Sequence, residues 1–296
     1  MNHIKQRRYN QERDENLVFK FLQESYDFKT LNSYLLPHYF EYALYHSMAD
    51  NENRDRIGLW EDSGDLVAIA FYEFELGQVH LHTQTNYEEL FGDLLKWSEK
   101  ELVKSSEDVN QLEVWTTNAE KGKEDFLTQQ GYEKVYTYDV TIFDYKNLFL
   151  ERKLPEGFTL IDGTSVDYTE LAKCYHYGFN NEREMSIEDI EGCKKLHQTP
   201  HADQSLTRIV VAPNGEYACA LGAWFDDLNQ YLYLEPLATI PKYRRLGLAT
   251  IALMDVMKES KVRGACYCFG GGTQDFYPSI GFEHTHTRHL WRKNFN

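Results

Sequence analysis

Cysteine is scarce in this sequence. The five residues, Cys174, Cys193, Cys219, Cys266 and Cys268, all fall in the second half and include no CxxC pair. A disulfide framework is therefore not expected in so long a chain, and core packing is the expected role for most of them. No apolar run approaches the ~18 residues needed to span a bilayer. The opening segment MNHIKQRRYNQERDEN has no apolar stretch of the signal-peptide kind, so a cytoplasmic location is expected. Positive charge is also short: 31 Lys and Arg face 47 Asp and Glu, a net charge of -16. That balance argues against nucleic acid, whose phosphates need a basic surface, and it suits a cationic substrate. There is no GxSxG elbow, no Walker loop and no HExxH. Gly270–Gly272 lacks the Lys-Ser/Thr of a phosphate loop and reads as a strand-end turn. His80 with His82, and His284 with His286, offer two imidazoles on a strand face where zinc wants three or four ligands, so no metal is expected.

What the chain does have is 42% hydrophobic residues over 296 positions, enough for about two packed domains. It also repeats itself. RIGLWEDSGDLVAIAFYEF (56–74) reads like RIVVAPNGEYACALGAWFD (208–226), each a strand, a turn with Gly64 or Gly215, and a second strand. FLTQQGYEK (126–134) mirrors FYPSIGFEH (276–284), matching Phe126 to Phe276, Gly131 to Gly281 and Glu133 to Glu283. Two matches at offsets close to 150 residues indicate a tandem duplication. The seam lies in LERKLPEGFTLIDG, where Pro155 and Gly157 separate two apolar segments, giving domains 1–151 and 152–296.

Each half runs in the same order: a strand (FTLID), a helical region (DYTELAKCYHYGF, then SIEDIEGCKKLHQ), the hairpin and an aromatic strand (QYLYLEPLAT). A long helix, a strand (ACYCFGG), a short helix around 273–279 and a last strand (THTRHLWRK) complete it. Strands and helices mix without strict alternation, which predicts an α+β or mixed α/β domain.

One stretch breaks the acidic pattern. In YRRLGLAT (243–250), Lys242, Arg244 and Arg245 precede Gly247, with no acid from 241 to 250. Pro236 interrupts the strand just before it, and a proline inside an apolar strand predicts a bulge or a splayed pair. Ala249, Ala252, Leu253, Val256 and Met257 follow at helical spacing. The helix therefore starts near Gly247, where unpaired N–H groups and the dipole favour an anion. A glycine lets that anion come close to the backbone. The stretch is suited to a phosphate group.

Arg244-x-x-Gly247-x-Ala249 resembles the Q/R-x-x-G-x-G/A motif of the GNAT superfamily of N-acetyltransferases, and DFYPSIGFE is similar to its later Y-x-x-x-G-F element, with Tyr277, Gly281 and Phe282 in place. The layout of both halves resembles tandem two-domain bacterial members. The resemblance implies two tandem domains, each a splayed, mostly antiparallel central sheet flanked by helices. It also implies acetyl-CoA as co-substrate, held by Leu237, Ala238 and Thr239 on the strand and by Arg244, Arg245, Leu246, Gly247, Leu248, Ala249 and Thr250 at the helix start. The first half departs from the pattern. It reads TQTNYEELFGDL (83–94) at the loop and has Leu127 in the place of Tyr277, so it is expected to be a degenerate copy that binds no acetyl-CoA.

Acetyl transfer to an amine needs a base, an oxyanion donor and an acid for the thiolate. Strand alternation puts Glu235 by the splayed slot as the base, and Pro236 leaves the N–H of Leu237 available to polarise the carbonyl. The resemblance makes Tyr277 the acid. The acceptor is expected to be a small primary amine, with neither nucleic acid nor membrane as partner. A CoA-binding sensor or scaffold without catalysis is the alternative reading.

Overall fold

The duplicated hairpins frame a fold that divides into two compact units. The computed structural model describes residues 3–106, 110–272 and 275–295. The first unit comprises Met1–Leu44, Met48–Val140 and Thr285–Asn296; the second comprises Tyr45–Ser47 and Thr141–His284. The units thus part at Val140/Thr141 and not at the 151/152 seam read from composition, and residues 285–296 fold with the first unit. The apolar pattern of the last strand identified it as a strand, but pairing partners are not written in such a pattern.

In the first unit the elements are β1 (Ile4–Arg8), α1 (Gln11–Glu24), α2 (Pro37–Tyr45), β2 (Gly58–Asp62), β3 (Asp65–Tyr72), β4 (Gln78–Thr83), α3 (Phe91–Glu101), β5 (Lys104–Ser105), β6 (Asn110–Thr117), α4 (Lys121–Gln129) and β7 (Glu133–Asp144). Asn10 starts α1 by accepting from the Arg13 N–H. Ser63 and Gly64, both at positive φ (55° and 101°), make the two-residue turn that closes the β2–β3 hairpin. Pairing runs β1-β2-β3-β4-β6, antiparallel except for β4 with β6.

The second unit continues with β8 (Thr159–Asp162), α5 (Tyr168–Gly178), α6 (Ile187–His197), β9 (Arg208–Val211), β10 (Tyr217–Asp226), β11 (Tyr231–Thr239), α7 (Leu248–Val262), β12 (Tyr267–Gly270) and α8 (Phe276–Ser279), and the last strand, β13 (Glu283–Asn294), belongs to the first unit from Thr285 onward. Asp167 caps α5, and Ser186 with Asp189 forms a capping box on α6. Within this unit Thr141–Asp144 of β7 pairs β12, followed by β11, β10, β9 and β8. Within the first unit β13 pairs β6, Arg288 opposite Thr117 through Asn294 opposite Gln111.

The second unit buries a core on each sheet face. Ala252, Leu253, Val256 and Met257 of α7 pack with Leu221, Leu232, Leu234 and Phe282. Leu171, Ala172, Cys174 and Tyr175 of α5 pack with Ile209, Ala220, Ala238 and Ile240. No helix among the described residues is long and apolar enough to cross a membrane.

Three buried imidazoles are held neutral, His80 and His82 in the first unit and His197 in the second. Burial, with Arg288 nearby, lowers His80 to about 3; burial, with Lys123 nearby, lowers His82 to about 3; burial lowers His197 to about 4. Unfolded imidazoles take up protons near pH 6.5. The unfolded state therefore binds more protons between pH 6.5 and the folded values, and stability present above pH 6.5 is lost as pH falls towards 4. Melting temperature should drop steeply across pH 6.5 to 4 in a calorimetric series. A flat profile over that window would contradict the buried, neutral assignment.

Candidate active site

Pro236 sits where β11 changes character. β10 and β11 are in register at Ala223/Leu234 and again at Leu221/Leu237, so Gly222 faces both Glu235 and Pro236. That extra residue is a β-bulge, and it switches the parity of the strand. Leu232 and Leu234 face the α7 core before it, whereas Leu237 faces that core after it and Ala238 turns to α5. A Cβ on Gly222 would stand 2.7 Å from the Glu235 carbonyl oxygen, which explains a glycine inside so apolar a strand.

On its other edge β11 runs parallel to β12 only from Tyr231/Tyr267 to Tyr233/Phe269. β12 ends at Gly270 while β11 continues to Thr239, so the two strands part and leave a slot. The Ile240 N–H bonds the Ala218 carbonyl. Counting back along the antiparallel pair, Ala238 also faces β10, while the backbone groups of Leu237 and Thr239 face the slot. The Thr239 carbonyl does so, taking the Arg244 Nε at 3.1 Å.

Tyr277 reaches the slot from α8. Its half-buried ring lies over the end of β12: a Cβ on Gly271 would be 2.5 Å from Tyr277 Cε2 and 3.2 Å from its hydroxyl. Extending the β11/β12 register by two residues brings Gly271 level with Glu235. Glu235, half-buried, and Tyr277 therefore stand at the same end of one opening. Behind Gly222 lies His197, whose Nε2 is 3.2 Å from the Tyr175 hydroxyl and whose Nδ1 is 3.3 Å from Thr207 Oγ1. The sequence reading missed His197; the glycine in β10 opposite Pro236 was the available signal.

The loop after β11 divides its basic residues among different tasks. Lys242 pairs Glu216 at 2.5 Å. Arg244 serves the fold: its Nη2 donates to the Gly178 carbonyl and to Asn180 Oδ1, both at 2.8 Å, tying the loop to the end of α5. The charge that sequence reading gave Arg244 for phosphate is thus engaged with its own backbone. Arg245 is exposed in the left-handed region (φ 66°), followed by Gly247 at φ 79° as the N-cap of α7. Gly247 brings no side chain to cap that helix, so among the described residues the N–H groups of Leu248, Ala249 and Thr250 take no cap from the N-cap position. Arg152, in the segment before β8, supplies a cation the sequence reading did not single out. Its Nη1 lies 3.3 Å from where a Gly247 Cβ would be. A bare helix end, a glycine with no room to spare and two exposed guanidiniums fit a phosphate-bearing cofactor.

The same place in the first unit is closed. β4 and β6 pair in parallel from Gln78/Glu113 to His80/Trp115 and then part. The gap is filled by the unit's own side chains. Lys123 Nζ reaches the Leu81 carbonyl at 3.3 Å and Glu120 at 2.6 Å, while Glu120 accepts from Ser33 Oγ and the Thr117 N–H. At the loop, Glu88 takes the Asn86 N–H at 3.0 Å, putting a carboxylate where the second unit leaves donors.

The four buried thiols add no nucleophile here. Cys174, Cys193, Cys219 and Cys268 are buried, and burial pushes all four thiols up, Cys193 and Cys219 to about 12, which keeps them protonated at neutral pH. His80 and His82 are core residues and not strand surface: His80 Nδ1 meets the Ser33 carbonyl at 3.0 Å and His82 Nε2 the Ser25 hydroxyl at 2.8 Å. Among the described residues no three His, Cys, Asp or Glu side chains gather in a metal-binding group.

Residues 167–282 match the family model described as the Acetyltransferase (GNAT) family. No curated protein sequence matches the chain significantly. Among solved structures, the chain is similar to a tandem GNAT protein from the clavulanic acid biosynthesis pathway, with a TM-score of 0.64, 10% identity and 98% of each chain covered. A GCN5-related N-acetyltransferase from Sphaerobacter thermophilus gives 0.60 at 15% identity, covering 98% of this chain and 95% of that one. The N-myristoyltransferase of Saccharomyces cerevisiae, solved with myristoyl-CoA and inhibitors, gives 0.59 at 14% identity, covering 100% and 81%. Bulge, slot and bare helix end agree with these matches: residues 167–282 match the GNAT acetyltransferase family model, within a chain that has the tandem GNAT fold.

Proposed function

We propose that this protein is an acetyl-CoA-dependent N-acetyltransferase that acetylates a primary amine on a small substrate by direct attack in a ternary complex, with the second unit as its one cofactor site. The observation that carries this reading is the bulge at Glu235–Pro236 beside the parting of β11 from β12, with Tyr277 over the end of β12 and the strand leading into the glycine-capped start of α7. Acetyl-CoA, when bound, supplies an activated acyl group on a thiol leaving group. Arg245, Arg152 and the N–H groups of Leu248, Ala249 and Thr250 hold its phosphates, while Leu246 and Gly247 shape the approach. Leu237, Ala238 and Thr239 line the strand side.

An alkyl ammonium has a pKa of about 10, so it must lose a proton before it attacks. Glu235 accepts that proton directly or through water. The Leu237 N–H stabilises the oxyanion, and the Tyr277 hydroxyl gives its proton to the departing sulfur. Buried, protonated thiols favour direct attack over an acyl-cysteine route. The acidic chain attracts a cationic amine.

Tyr277→Phe should lower turnover roughly 10- to 1000-fold with acetyl-CoA affinity little changed, the range of one general acid. The measurement is steady-state kinetics against a panel of amines, polyamines, amino acids and peptides, beside calorimetry with CoA. An unchanged rate would return Tyr277 to a packing role. Intact CoA binding without turnover on any amine would leave a CoA-binding sensor.

A further inference from the structure

We infer that the first unit carries a binding site of its own, a carboxylate site built on Arg288 and Trp115. Both side chains are more than nine-tenths buried, Arg288 at 7% exposure and Trp115 at 6%. The Trp115 and Tyr34 rings pack on the guanidinium, with centroids 4.1 and 4.4 Å from its Cζ, and Tyr39 lies at 5.8 Å. The rings cover the group, and the Tyr39 hydroxyl hydrogen-bonds its side chain without reaching Nε or Nη2. Nε and Nη2 of Arg288, and Nε1 of Trp115, have no hydrogen-bond partner among the described residues.

Which donors are left over matters. The Nε–H and one Nη2–H of an arginine point the same way and form the fork that grips a carboxylate. Arg292, four residues along the same strand, turns that edge on Glu113 Oε1, at 2.8 Å from Nε and 2.5 Å from Nη2. On Arg288 the same edge is unmatched, beside a third donor from Trp115. All three are donors only. A water there would add two donors of its own, whereas a carboxylate brings acceptor lone pairs alone.

The surroundings also suit one added negative charge. Glu73 lies near Arg288 and Tyr39, and burial raises its pKa while Arg288 and the Tyr39 bond lower it. His80, 3.4 Å from the Tyr39 hydroxyl, is neutral. Glu73, whose pKa burial raises overall, bonds the Tyr39 hydroxyl and leaves the Arg288 fork unfilled. The site belongs wholly to the first unit, whose cofactor loop is closed, and it does not depend on the acetyl-transfer reading.

The test uses the full chain, without acetyl-CoA, and the probes acetate and N-acetylglycine. The amide counterparts, acetamide and N-acetylglycinamide, are the controls at matched ionic strength. Both carboxylates should raise the melting temperature with a saturable dose response, and neither amide nor chloride should. Arg288→Met should abolish the rise and Trp115→Phe should weaken it at least several-fold, while Arg292→Met should leave it intact. Should Arg288→Met fail to fold, Arg288→Lys keeps the charge, loses the fork and must still abolish the response. A stronger response to N-acetylglycine than to acetate would point to a peptide-like ligand, and equal responses to a simple acid. Carboxylates acting no better than amides would overturn the proposal, as would a response surviving in the Arg288 variants. A crystal structure grown in acetate with only water against Nε and Nη2 would do the same.

Discussion

Gly247→Glu should abolish acetyl-CoA binding, with wild-type protein taking up one molecule per chain by calorimetry. Two costs combine. A side chain at φ 79° is strained by about 1–2 kcal/mol. The larger cost is electrostatic: a carboxylate about 4 Å from a phosphate charge, at an effective dielectric constant near 20, opposes binding by about 4 kcal/mol, or roughly 1000-fold. The new carboxylate would also pair with Arg152, whose Nη1 is within 3.3 Å of the Cβ position, and so occupy the cation meant for phosphate. Gly247→Ala carries only the strain and should lose far less. Binding retained in the glutamate variant would place the phosphates elsewhere, and two equivalent sites per chain would contradict the closed first unit.

The second large effect concerns the chain from residue 152 to 296 expressed alone. The composition seam at 150–157 invites a cut there, and the fold makes it damaging at both ends. Removing residues 1–151 strips Thr141–Asp144 from the edge of β12. It also removes β6, the partner of Arg288–Asn294, leaving an unpaired strand containing Leu290 and Trp291, both buried in the whole protein. Exposed edges of this kind pair with other copies. The fragment should be insoluble or lack a cooperative melting transition by circular dichroism, with no acetyl transfer. A soluble, cooperatively folded and active fragment would show that residues 152–296 fold without either strand pairing.

Much of the fold was legible because it rests on local periodicity. The apolar stripe of α7 and the two hairpins are short-range patterns, and the structure has them where the sequence places them. The bulge at Pro236 was legible too, since proline cannot donate to a ladder. What stayed hidden depends on long-range partners. The charge on Arg244 reads as phosphate-binding until Gly178 and Asn180, more than sixty residues away in sequence, claim its donors. Arg152 sits in a segment that reads as a linker, so only the folded chain reveals its approach to Gly247. The alternation of β13 says that it is a strand but nothing about β6 as its neighbour.

That last pairing bears on the order of folding. Thr117 and Arg288 face each other across 171 residues of chain, and Gln111 and Asn294 across 183. Contacts so distant in sequence close a long loop before they return any stabilisation, and folds rich in them form slowly. During synthesis the first unit emerges first, yet β6 lacks its β13 neighbour until residue 294 has been translated. The half of the protein that leaves the ribosome earliest is therefore the half completed last.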